Sequence, residues 1–190
     1  MSSLTFDTSK LAFAPLVTTS KGAKQLPALY TNGTAVVWSP NELLEVMYEP
    51  SAYNDPEANR VTLCVNPSEA VCETISAMEE WCIQTLASNP PLLGVQMAPE
   101  LVRERFVSCL KTSEKGYRTL RMKMNKAGRY ALQCYDLDKE KRERPDTWRG
   151  CSIQPRICLK GLWIMGKDLG PILECTHAIV QEAGGDECPF

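Results

Sequence analysis

Lys111–Tyr135 reads KTSEKGYRTLRMKMNKAGRYALQCY, and this stretch decides the fold. It holds seven basic residues (Lys111, Lys115, Arg118, Arg121, Lys123, Lys126 and Arg129) against one acid, Glu114. Leu120, Met122 and Met124 alternate with Arg121 and Lys123, the period of two that marks a half-buried strand. Tyr130, Leu132 and Cys134 alternate likewise with Arg129, Ala131, Gln133 and Tyr135. Between the runs, Asn125-Lys126-Ala127-Gly128 reads as a hairpin turn with Gly128 at positive φ. The spacing predicts a hairpin that buries Leu120, Met122, Met124, Tyr130, Leu132 and Cys134. Its other face presents Tyr117, Arg121, Lys123, Arg129 and Tyr135. Cations pair with phosphates and rings stack on bases for about 1–3 kcal/mol each, so such a face suits a single-stranded nucleic acid. The solvated back of an ordinary hairpin has the same composition.

Outward from this stretch the period changes. Upstream, Asn66 and Pro67 open a helix running to about Ser88. Val71, Ile75, Met78 and Cys82 form its apolar stripe, Trp81 lies in the core or at its rim, and Glu73, Glu79 and Glu80 face water. A second helix is expected from Pro99 to about Thr112, with Leu101, Val102, Phe106, Cys109 and Leu110 inward. Before the helices come strands at 21–30, 34–38 and 60–65, and a helical turn near 41–47. Pro27 places the first of these strands at an edge. Downstream, Asp136–Pro145 reads as a flexible hairpin loop, a candidate flap. A long strand follows at Ile153–Met165 with a bulge at Gly161 and Trp163 in the core. A last strand spans Pro171–Val180.

Composition narrows the classes. The chain has 190 residues, 44% hydrophobic, and a net charge of −2, enough for one domain with a real core but not a polycationic binder. No run of about 18 apolar residues predicts a membrane helix, and the N-terminus does not read as a secretory signal. The nine cysteines are odd in number and show no CxxC pair, so they read as reduced core residues of an intracellular protein, cytoplasmic or nuclear. His177 is the one histidine. A zinc site would need Cys158, Cys175, His177 and a fourth ligand, and a thiol enzyme would need Cys158 or Cys175 beside His177. Residues 175 and 177 share one face of a strand, expected to point inward. No glycine-rich phosphate loop is present, and no cofactor or catalytic set is predicted.

Strands at both ends with two helices in the middle give an α+β class, mainly β. An antiparallel barrel of oligonucleotide-binding (OB) type, with two helices inserted, fits this order. The expected divisions are a flexible leader over 1–20, the domain over 21–182 and an acidic tail over 183–190.

The layout resembles the OB-fold single-stranded DNA-binding proteins of large algal DNA viruses and similar tailed-phage proteins. The resemblance spans about residues 21–182. It rests on Lys24–Tyr30, Trp38-Ser39-Pro40, the central helices, Arg121-Met122-Lys123 and RICLKGLWIMGKDLG at 156–170. It implies a non-enzymatic protein that coats single-stranded DNA in replication, recombination or repair, and it leaves room for a homodimer. Arg121, Lys123, Lys126, Arg129, Arg149 and Lys160 would meet phosphates, and Tyr117, Tyr135 and Trp148 would stack bases. The tip, Asp186-Glu187-Cys188-Pro189-Phe190, is similar to that of bacterial single-stranded DNA-binding proteins. That likeness implies docking of replication or repair partners by Asp186, Glu187, Pro189 and Phe190. A protein-interaction module on the same scaffold is the competing expectation.

Overall fold

The computed structural model describes residues 7–20, 22–53, 55–93 and 97–182. Among these, twelve strands join one sheet, where about seven were expected. They are β1 (Leu11–Phe13), β2 (Val17–Thr18), β3 (Lys24–Tyr30), β4 (Val36–Trp38), β5 (Leu44–Glu45), β6 (Arg60–Val65), β7 (Leu110–Thr112), β8 (Arg118–Asn125), β9 (Gln133–Tyr135), β10 (Lys141–Arg142), β11 (Ser152–Met165) and β12 (Asp168–Gln181). Two α-helices, α1 (Glu69–Ser88) and α2 (Pro99–Arg105), lie between β6 and β7. The main path runs β1-β3-β11-β12-β8-β6.

The β11–β12 hairpin is the spine. Its register runs from Ser152↔Gln181 to Met165↔Asp168. The other edge of β11 takes β3, β4 and β5 in turn. Two register shifts break the spine and leave Thr176 and Lys160 as the extra residues. Gly161, beside the second, stands opposite Pro27 at φ +137°. A Cβ there would lie 2.1 Å from the Leu26 carbonyl oxygen, so only glycine lets β3 approach. β3 is therefore an interior strand, not the expected edge. Pro27 still contributes its carbonyl, which accepts from the Ala14 N–H at 2.9 Å.

Other expectations shift. The sheet begins at Leu11, inside the presumed leader, where β1 pairs with β3 and Leu11 is buried. Residues 41–47 form no helical turn. β5 pairs with β11 there, and Val46 and Ser51 bridge to Val65 and Thr62 of β6. Helix α1 is capped by Ser68, not Asn66: its hydroxyl accepts the Val71 N–H at 3.2 Å. Helix α2 stops at Arg105, seven residues short of Thr112, and leaves Leu101 exposed. Phe106 turns extended, the Val107 N–H donates to the Leu169 carbonyl at 2.7 Å, and Leu110–Thr112 join β8. Helical spacing in that segment loses to the open edge of β8.

The core has two parts. The larger lies under β6, β8, β11 and β12, with Val71, Ile75 and Met78 from α1. The smaller holds Cys82, Ile83 and Leu86 of α1 with Leu26, Val102, Leu162 and Leu169. Glu79 is buried between helix and sheet, not solvated as expected. Its carboxylate accepts the Cys109 N–H at 2.8 Å and the thiol at 3.1 Å. Burial, then the Glu79 charge, pushes the Cys109 thiol far above its ordinary range.

Candidate nucleic-acid interface

β8 lies against the core through Leu120, Met122 and Met124, all buried, and turns Arg121 and Lys123 outward. It does not form the expected hairpin with β9. β8 pairs antiparallel with β6 and β7, and touches β12 in parallel at Lys123↔Glu174. β9 lies further along β12, also parallel, at Gln133↔His177. Ten residues from Lys123 to Gln133 thus accompany three from Glu174 to His177. Residues 126–132 are an excursion between two pieces of one strand position. Alternation reads the same for a hairpin and for a strand broken this way.

The excursion is braced. Asn59 Nδ2 donates to the Ala127 carbonyl at 3.1 Å, while Asn59 Oδ1 accepts the Ala127 N–H at 2.5 Å. The Lys126 N–H donates to the Asn59 carbonyl, and the Leu132 N–H to the Asn125 carbonyl. Gly128 takes the expected positive φ, +84°. Tyr130, expected inward, is 70% exposed because it sits on this excursion and not in a strand. The Arg129 guanidinium lies 5.7 Å from its ring centroid.

Three depressions line the outer face. A cleft of about 620 Å³ brings Tyr48, Tyr53 and Trp163 together with Lys111, Arg121 and Lys123. A second shares Tyr48, Lys111 and Arg121 with it and extends to Lys115 and Tyr117. A third, about 440 Å³, lies among Arg60, Arg129, Tyr130, Lys160 and Glu174. The register pair Thr62↔Lys123 sits between the first and third, since Lys123 is also level with Glu174. Trp163 reaches the cleft because its cross-strand neighbour is Gly170, where a Cβ would lie 3.0 Å from the indole.

Electrostatics follow from this crowding. Lys123 Nζ donates to Thr62 Oγ1 at 2.8 Å, and partial burial, then the Arg60 charge, lowers its pKa. Arg60 Nη1 donates to Glu174 Oε2 at 2.6 Å. Cys64 lies between Arg121 and Lys123 in the cleft. Burial raises its thiol, and those two cations oppose the rise.

Of the predicted residues, Tyr117, Arg121, Lys123, Arg129 and Lys160 line these depressions. Lys126 turns its ammonium to the Pro56 carbonyl at 3.3 Å. Tyr135 is half-buried and stacks on His177 with centroids 6.1 Å apart. Arg149 is exposed, and its N–H donates to Glu49 at the cleft wall. Trp148 is 6% exposed and belongs to the core, so its ring has no open face for a base. Asp136–Pro145, expected as a loose flap, is a tight β9–β10 hairpin closed by the Asp136 N–H to Glu140 carbonyl bond. Asp186–Phe190 lie outside the described residues.

Sequence reading missed Tyr48, Tyr53, Arg60 and the cleft role of Trp163. A signal was present: Tyr48 and Tyr53 stand in a Pro50-centred segment with no apolar period to bury them, and Tyr53 is 94% exposed. The supposed Cys175–His177 pair separates. The bulge at Thr176 leaves Cys175 in the core and His177 half-exposed beside Arg156 Nη1 at 3.3 Å. Burial holds the Cys175 thiol far above its ordinary range. Among the described residues, no group of three or more His, Cys, Asp or Glu side chains is placed to hold a metal.

No protein-family model and no curated protein matches the chain. Its fold is similar to that of the single-stranded DNA-binding protein from bacteriophage Enc34, solved in complex with ssDNA. That likeness has a TM-score of 0.51 at 11% identity over 91% of this chain and 96% of that one. The C-terminally truncated Enc34 protein gives a TM-score of 0.50 at 12% identity over 96% and 99%. Gp2.5, the single-stranded DNA-binding protein encoded by bacteriophage T7, gives 0.45 at 13% identity over 80% and 96%. The Enc34 likeness is one of fold: a mainly β domain with two helices, of the architecture found in that phage protein.

Proposed function

We propose that the chain is a non-enzymatic single-stranded DNA-binding protein whose outer sheet face carries the strand. One observation carries this reading. Cations of β6, β7 and β8 line three neighbouring depressions, two of them joined, together with rings from four separate segments: the exposed Tyr48 and Tyr53, Tyr117 and Tyr130, and the half-buried Trp163. Guanidinium and ammonium groups hold phosphates without regard to sequence, and the rings offer π-faces to successive bases. The fold likeness to a phage protein solved with ssDNA supports the same reading. The β5–β11 pairing and the Val46↔Val65 bridge support an OB-like barrel closed between β6 and β11. Coating of single strands during replication, recombination or repair is the role such a face serves. The Asp186–Phe190 tip is then a peptide for protein partners.

Fluorescence titration with poly-dT across a salt series tests this. Trp38 and Trp148 are buried and Trp81 packs against Phe13, so quenching is expected to come from Trp163. Trp163→Phe should remove most of the quench while anisotropy still reports binding. Equal affinity for duplex, or no binding at low salt, overturns the proposal.

A further inference from the structure

The third depression differs from the rest of the face in one respect: its lining includes a buried carboxylate. Glu174 is 5% exposed and reaches the depression among Arg60, Arg129 and Lys160. Arg60 engages one of its oxygens, Oε2. This depression thus offers a carboxylate acceptor beside three cations, whereas Arg121 and Lys123 offer cations alone. Tyr130 stands at the rim, exposed on the braced excursion, with Arg129 over its ring. The volume, about 440 Å³, is ample for one base.

We infer that this depression is a nucleobase pocket that selects bases bearing an exocyclic amino group. The inference rests on the single-stranded DNA reading of the same face. Adenine, guanine and cytosine each offer an NH₂ donor, which a carboxylate accepts, next to acceptors that Arg60 or Lys160 satisfies. Thymine instead flanks its one N–H with two carbonyl oxygens, and a carbonyl facing Glu174 is repelled. Tyr130 supplies the stacking surface. The protein is then general along Arg121 and Lys123 and selective at one position of the bound strand. Asn59 and Asn125 hold the backbone of the excursion that carries the Tyr130 ring, at the Ala127 and Tyr130 carbonyls.

The test is anisotropy at fixed salt with a labelled all-thymidine oligonucleotide and three copies in which one central residue is dA, dC or dG. The expected result is about five- to tenfold tighter binding of the amino-bearing copies, the low end of discrimination by a good base contact. Glu174→Gln should bring the ratio towards one, whichever way absolute affinity moves. Tyr130→Ala, at an exposed position, should weaken the amino-bearing copies more than the all-thymidine strand without lowering the melting temperature. Equal binding of all four oligonucleotides by the unmodified protein overturns the pocket and leaves the general reading intact. Binding of none overturns both.

Discussion

The two faces of β8 are one residue apart in sequence and opposite in consequence. Leu120, Met122 and Met124 are sealed against the core, while Arg121 and Lys123 border the cleft. The inner face meets neighbours on every side, so any change of shape or charge is felt by the whole fold. On the outer face Arg121 and Lys123 remain open to solvent at the cleft, with Lys123 held by the Thr62 hydroxyl. If the outer face carries the strand as proposed, β8 separates stability from binding, and substitutions a single position apart should report on different properties.

The largest effect should come from Met122→Asp. It places a charge with no partner where the side chain is 1% exposed, and more than about 4 kcal/mol of stability should be lost. Loss of the cooperative melting transition checks it, and a variant that melts like the parent would break the comparison. Next, Arg121→Ala with Lys123→Ala should leave melting nearly unchanged and weaken oligonucleotide binding. The slope of log affinity against log salt should flatten by about one for each phosphate contact removed. An unaltered slope would place the DNA elsewhere.

The smallest effect is acid-dependent. His177 sits on the outer side of β12, and its pKa is lowered first by burial and then by Arg156. The folded protein therefore takes up this proton less readily than the unfolded chain, whose histidine titrates at about 6.5. Its contribution to stability is intact above that value and is lost as pH falls through the folded pKa. Melting temperature should dip slightly over that window, and His177→Gln should flatten the dip. Because His177 is the one histidine, the assignment is direct.

The sequence carried local periodicity well. β8, β6, the apolar stripe of α1 and the glycine bulge of β11 all stand where their residues indicate, because burial on one side writes itself into alternate or every third and fourth position. Pairing partners are another matter. Nothing between Lys126 and Cys134 states that β9 lies along β12 and not back along β8, since that choice is made by residues more than forty positions away. The same distance hid half of the candidate site. Tyr48, Tyr53, Arg60 and Trp163 come from separate segments, and only the sheet makes them neighbours. Trp148 misled in the opposite direction: expected to stack on a base, its ring packs inward, and Glu49 accepts the Trp148 N–H at 2.9 Å.

The place of β11 has a consequence for how the chain is made. β3, β4 and β5 all find their partner on a strand that begins at Ser152, and the Ser39 hydroxyl closes its bond to Pro155 across 116 positions. A ribosome delivers those early strands long before it delivers their template. During synthesis they wait with open edges, in the state most prone to pairing wrongly. Closure of the sheet along β3, β4 and β5 is then a late event in synthesis, set by the emergence of β11.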